Sequence, residues 1–172
     1  DGVASYDIDV TVVDPLWSKE VEYEFSMTSI GGVGLDFPYD FPHDFGFSNV
    51  VTSIDNREGA PADAVLRFYG PVDECRVIIA GNEYYVGESL ESGEYVTINT
   101  YEKTVELTRI NGKVENVFSS VRGEYFQGSG SYVFEKIPSG LSNVTMGGGS
   151  DVDVILTMHR DEPDYVELLE AG

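Results

Sequence analysis

Side chains able to do chemistry are few in this chain, and their spacing suits little of it. There are two histidines, His43 and His159, and a single cysteine, Cys75. A Ser–His–Asp triad assembles in space, so spacing alone does not exclude one. No Gly-x-Ser-x-Gly elbow or comparable nucleophile setting is present, however. Cys75 follows Asp73 and Glu74, whose charges disfavour a thiolate. One Cys and two distant His lack the spacing of a zinc site. A glycosidase needs two placed carboxylates, which 31 acidic residues satisfy so easily that the requirement diagnoses nothing. Asp151 and Asp153, after Gly147-Gly148-Gly149-Ser150, offer oxygen ligands to calcium. Their i, i+2 spacing is equally that of a wet sheet face, which is the favoured reading. The glycine run lacks the Lys-Ser/Thr of a phosphate-binding loop and reads as a bend. Asn143-Val144-Thr145 matches a glycosylation sequon, but nothing else points to secretion. The expectation is a non-enzymatic protein without a cofactor or resident metal.

Aromatic side chains are the remaining candidates. Trp17, Tyr39, Phe41, Tyr84, Tyr85, Tyr101 and Tyr125 would stack on sugar rings if exposed. They serve equally well as core or protein-interface residues, where rings contribute large buried area, and that reading is favoured.

The elements that position these residues read almost entirely as strands. Ile8, Val10 and Val12 alternate with Asp7, Asp9 and Thr11 in Asp7–Val13; Val21, Tyr23, Phe25 and Met27 alternate with acids and Ser26 in Glu20–Thr28. In Asp151–Met158 the inward set is Val152, Val154, Leu156 and Met158. A strand with one wet and one buried face reads this way because successive side chains alternate sides. Further strands are predicted at Ala64–Tyr69, Arg76–Ala80, Glu83–Val86, Glu94–Asn99, Thr104–Ile110, Ser131–Glu135 and Asn143–Met146. Asn111-Gly112 predicts a type I′ hairpin, and Gly81-Asn82 separates two strands in the same manner. Residues 31–47 carry aromatics with Pro38 and Pro42 and read as an extended aromatic loop or edge segment. Val117 and Val121 would anchor one helical turn within Asn116–Phe126. Many short strands joined by Gly-rich turns predict an all-β sandwich or barrel.

Composition bounds the partners. The chain's 172 residues suit one ordinary domain with a short leading segment. Ten basic against 31 acidic residues give a charge of −21, spread along the whole chain. That field repels nucleic-acid phosphates and anionic headgroups, so no nucleic acid and no membrane insertion are expected. The bland reading of the acidity is a solvated surface; docking to a basic partner or to divalent cations is the functional one. Lone Cys75 permits no intramolecular disulfide, which fits a cytosolic origin. The chain opens at Asp1-Gly2 almost directly into a strand pattern, as a fragment of a longer protein would.

The order of several motifs resembles the bacteriophage distal tail protein family. Asp14-Pro15-Leu16-Trp17 is similar to that family's Asp-Pro-Phe-Trp element. Gly31-Gly32 and the Phe37-Pro38, Phe41-Pro42, Phe45 segment follow, then Ile54-Asp55-Asn56 and Gly59-Ala60-Pro61-Ala62. Phe68-Tyr69-Gly70-Pro71-Val72 resembles its Ile-Tyr-Gly-Pro-Val element, and Gly93-Glu94-Tyr95-Val96-Thr97-Ile98-Asn99-Thr100 its Gly-Glu-x-Leu-x-Ile-Asp-Thr strand. Lys103-Thr104-Val105, Asn116-Val117-Phe118, Phe134, Ile137-Pro138-Ser139-Gly140 and Asn143-Val144 continue in register, so the likeness spans roughly residues 14–163. Departures are Leu16 for an aromatic, Asn99 for Asp, and the acidic Asp73-Glu74 loop. The resemblance implies a galectin-like antiparallel β-sandwich of jelly-roll type over 14–172. Residues 1–13 would be a strand remnant of a preceding ring-forming domain or the sandwich's own first strand. It implies a virion structural component at the tail tip or baseplate of a phage or prophage, made in the bacterial cytoplasm. Its partners would be tail-tube, tail-tip or receptor-binding proteins, with a homo-hexamer in full-length relatives. The 31–47 loop is a candidate contact. The alternative is a carbohydrate-binding module that contacts a host-surface glycan.

Overall fold

A computed structural model describes residues 17–26, 51–57 and 59–160. The strand expected at Asp7–Val13, the 31–47 loop, and Met27 and Thr28 lie outside the described residues.

Among the described residues ten strands form two antiparallel sheets. They are β1 (Trp17–Phe25), β2 (Val51–Asn56), β3 (Asp63–Tyr69), β4 (Cys75–Ile79), β5 (Asn82–Val86), β6 (Tyr95–Asn99), β7 (Thr104–Thr108), β8 (Val114–Asn116), β9 (Gly140–Gly147) and β10 (Asp151–Arg160). One sheet has the order β1-β10-β3-β6-β7-β8 and the other β2-β9-β4-β5. The chain is therefore an all-β sandwich, as its alternation predicts.

The register explains the burial. Val152, Val154 and Leu156 of β10 stand opposite Phe68, Leu66 and Ala64 of β3, and all six are buried. Val96 and Ile98 of β6 continue this layer to Leu107 and Val105 of β7. Val77, Ile79, Tyr84, Val86, Val144 and Met146 face them from the four-stranded sheet in one hydrophobic core. Burying each large apolar side chain here contributes about 1.5–3 kcal/mol against the entropy of ordering the chain.

Three expectations about local structure need correction. Ser131–Glu135 is not a strand: the backbone turns here, with Glu135 N donating to Tyr132 O, and Val133 and Phe134 are both buried. Its backbone is held by a side chain instead, with Tyr132 N–H donating to Asn82 Oδ1 and Asn82 Nδ2 donating to Tyr132 O. Strand β2 was hidden because its inward positions, Ile54 and Asn56, include a polar residue. The hairpin turns also exchange types. Gly112 N donates to Arg109 O and Arg109 N to Lys113 O, with Gly112 at φ +80° and Asn111 outside the left-handed region. This is a three-residue turn closed by a glycine bulge, rather than type I′. The β4–β5 turn instead places both Ala80 (φ +52°) and Gly81 (φ +83°) in the left-handed region. Its central pair lies one residue earlier than Gly81-Asn82. The helical turn is short, a 3-10 segment at Phe118–Ser120 beside buried Val117.

A buried amide joins distant segments. Asn56 Nδ2 lies 3.0 Å from Ala60 O, 3.2 Å from Ile137 O and 3.2 Å from Pro138 O. Ala62 and Ile137 exchange backbone hydrogen bonds beside it. A second joint is Gly70, where an added Cβ would meet Glu91 O at 2.2 Å, so only glycine fits.

Candidate functional site

The candidate aromatics whose side chains are described, Tyr84, Tyr85, Tyr101 and Tyr125, do not gather at one site. Tyr84 is fully buried in the core, where its hydroxyl donates to Glu135 O at 2.8 Å. Tyr85 is half-buried on the outer face of the four-stranded sheet; its hydroxyl donates to Glu74 Oε2 and Arg122 lies over its ring at 5.3 Å. Tyr101 and Tyr125 are 67% and 77% exposed, in the β6–β7 turn and the loop after the 3-10 segment. Trp17 opens β1, while Tyr39 and Phe41 lie outside the described residues.

His43 lies outside the described residues, and His159 is a β10 position whose side chain also does. Cys75 is buried, and burial first, then the charges of Glu88 and Glu74, push its thiol up to about 12. The thiolate is thus disfavoured at neutral pH. Asp153 accepts the Tyr69 hydroxyl at 2.5 Å, and Asp151 accepts the Ser26 hydroxyl at 3.0 Å. Among the described residues no group of three His, Cys, Asp or Glu side chains could hold a metal ion. No helix among them is long and apolar enough to cross a membrane.

The most distinctive surface is the outer face of the six-stranded sheet. Period-2 alternation puts Glu20, Glu22 and Glu24 of β1 on it, all exposed. Glu24 stands directly opposite Asp153, and Glu22 opposite Ile155. Asp153 in turn faces Arg67, and Asp151 faces Tyr69, which pairs with Tyr95. Tyr69 and Tyr95 lie 6.1 Å apart, tilted by 50°, and the Arg67 guanidinium sits 5.5 Å from the Tyr95 ring centre. Burial, followed by the hydrogen bond to Asp153, holds the Tyr69 phenol above its ordinary range, and Arg67 opposes this. Arg67 Nε is shielded from solvent without a hydrogen-bond partner among the described residues.

At one end this face carries a groove of about 250 Å³ lined by Ser18, Glu20, Asp63, Asn99, Tyr101 and Thr157. Asn99 Oδ1 already accepts Tyr101 N and Glu102 N, which orders the turn at the rim. Asp63 is 5% exposed and paired with Lys136 Nζ at 2.9 Å. A second cavity, of about 280 Å³, lies beside the Ala80-Gly81 turn, but its polar lining groups Asn82, Glu135 and Lys136 are already engaged.

Of the candidate residues whose side chains are described, only Tyr101 reaches this groove. Arg67, Tyr69 and Tyr95 were missed as a cluster because their proximity is a matter of strand register. The alternating acids of β1 were visible, but not what they would face. Comparison with protein-family models, with curated proteins and with solved structures gives no match.

Proposed function

We infer that this chain is a structural, non-catalytic docking module of a phage or prophage tail tip, joining tail tube to host-adsorption proteins. The supporting observation is where the resembling motifs fall. Ile54-Asp55-Asn56 and Gly59-Ala60-Pro61-Ala62 are far in sequence from Ile137-Pro138, yet all three meet at the Asn56 amide. Tyr69-Gly70-Pro71-Val72 forms the second joint, with Gly70 against Glu91 and Val72 bonded through its backbone to Leu90. These motif residues are joints of the sandwich, as expected of a family held together by its scaffold rather than by a catalytic site. The two-sheet antiparallel architecture is compatible with the finer galectin-like, jelly-roll reading. Immunogold labelling of tailed particles with antibodies against this chain tests the proposal. Gold at one end of the tail is the expected result; tails that remain unlabelled, with the chain recovered elsewhere, would remove it.

The groove beside Tyr101 favours a second reading, a carbohydrate-binding module. Its hydroxyl, amide and carboxylate lining suits sugar hydroxyls, and an exposed ring suits a sugar face. Saturable glycan binding abolished by Tyr101→Ala would favour this reading over the first.

A further inference from the structure

The geometry points to the outer face of the six-stranded sheet as the docking surface, and to an extended protein segment with Lys or Arg at alternate positions as its occupant. Charge complementarity carries the assignment. Glu20, Glu22 and Glu24 project from one side of β1 at a strand's two-residue repeat of about 6.8 Å. None of the three has a hydrogen bond or ion pair among the described residues. Glu24 stands opposite Asp153, and like charges directly opposed across an antiparallel pair destabilise it. Arg67 is the one cation at the described outward positions of these strands, and it lies over Tyr95 rather than beside the β1 carboxylates.

An extended cationic segment repeats at the same spacing as β1, so its basic side chains would meet Glu20, Glu22 and Glu24 in turn. The Tyr69–Tyr95 pair and Arg67 lie further across the face and supply ring and stem surface for the intervening residues. Anionic ligands are disfavoured by the same field, since the whole chain carries −21.

The occupant's identity as a tail protein rests on the proposed function, whereas the charge and spacing argument does not. The test uses the whole chain and a fluorescent alternating Lys-Thr peptide of about ten residues, followed by anisotropy at low salt. E22Q/E24Q is expected to weaken binding about tenfold, and D73N/E124Q, which removes as much charge from other surfaces, less than about threefold. Thermal unfolding of each variant checks that it folds. No binding by the wild-type chain, or equal weakening in both variants, would overturn the assignment. Absence of the chain from tail particles removes the docking function whatever the peptide does. Incorporation of E22Q/E24Q at wild-type levels removes this face and leaves the function standing.

Discussion

The two outer faces of the sandwich treat charge differently. On the four-stranded sheet Arg76 pairs with Glu83, Tyr85 donates to Glu74, and Arg122 covers the Tyr85 ring. Asp55 at its edge is bonded to Arg57 at 2.8 Å. On the six-stranded sheet the β1 glutamates line up without such partners among the described residues, and Glu24 faces another carboxylate. Both faces rest on one core, so core packing does not explain the contrast. Exposed ion pairs are individually weak, typically about 0–1 kcal/mol, and the paired face is not strongly stabilised by them. Among the described residues the contrast marks one face as paired and the other as short of positive charge.

The largest expected effect tests whether the faces share one cooperative unit. Asn56→Ala leaves the Ala60, Ile137 and Pro138 carbonyls without their common donor, costing about 2 kcal/mol. Urea unfolding followed separately by tyrosine fluorescence and circular dichroism should give coincident, shifted transitions; two separated transitions would break the shared-core premise.

Alkaline titration probes the interior between the faces. Burial raises the folded-state pKa of Cys75 to about 12 and also raises that of Tyr84. The folded state therefore keeps protons that the unfolded state releases, and stability falls as pH rises. The Cys75 contribution is complete below about pH 9 and fades towards pH 12. Cys75→Val should make the decline of the unfolding midpoint over that interval shallower; an unchanged slope would count against the buried thiol as a source.

Single charge changes on the two faces should have opposite signs. Glu24→Gln relieves repulsion from Asp153 and is expected to gain about 0.5 kcal/mol. Arg76→Met, which leaves Glu83 unpaired, is expected to lose about 0.5 kcal/mol. Denaturation of both variants at low and high salt would sharpen the comparison, because screening should shrink both differences. Equal signs would dissolve it. The smallest effect lies in the β4–β5 turn, where Ala80→Gly removes the left-handed strain on Ala80 against an entropic cost. The expected net gain is a few tenths of a kcal/mol in chemical denaturation.

Local chemistry made most of the strands legible, and its failures have local causes too. β10 and β3 were readable because burial on one face imposes strict alternation. Ser131–Glu135 has suitable residues for a strand, but Tyr132 engages the Asn82 amide with both its backbone groups. Asn111-Gly112 marked a hairpin correctly, yet the type of turn followed from how Arg109 and Lys113 pair.

The sequence by itself determined an all-β chain with strong negative charge, because strand alternation and net charge are sums over local residue types. It also exposed the run of alternating glutamates in β1. Only the tertiary structure decided that Glu24 faces Asp153, that Tyr69 and Tyr95 share a patch with Arg67, and that Tyr84 is core while Tyr101 is surface. These outcomes depend on register and sheet order. A shift of one residue would turn every side chain of a strand to its opposite face.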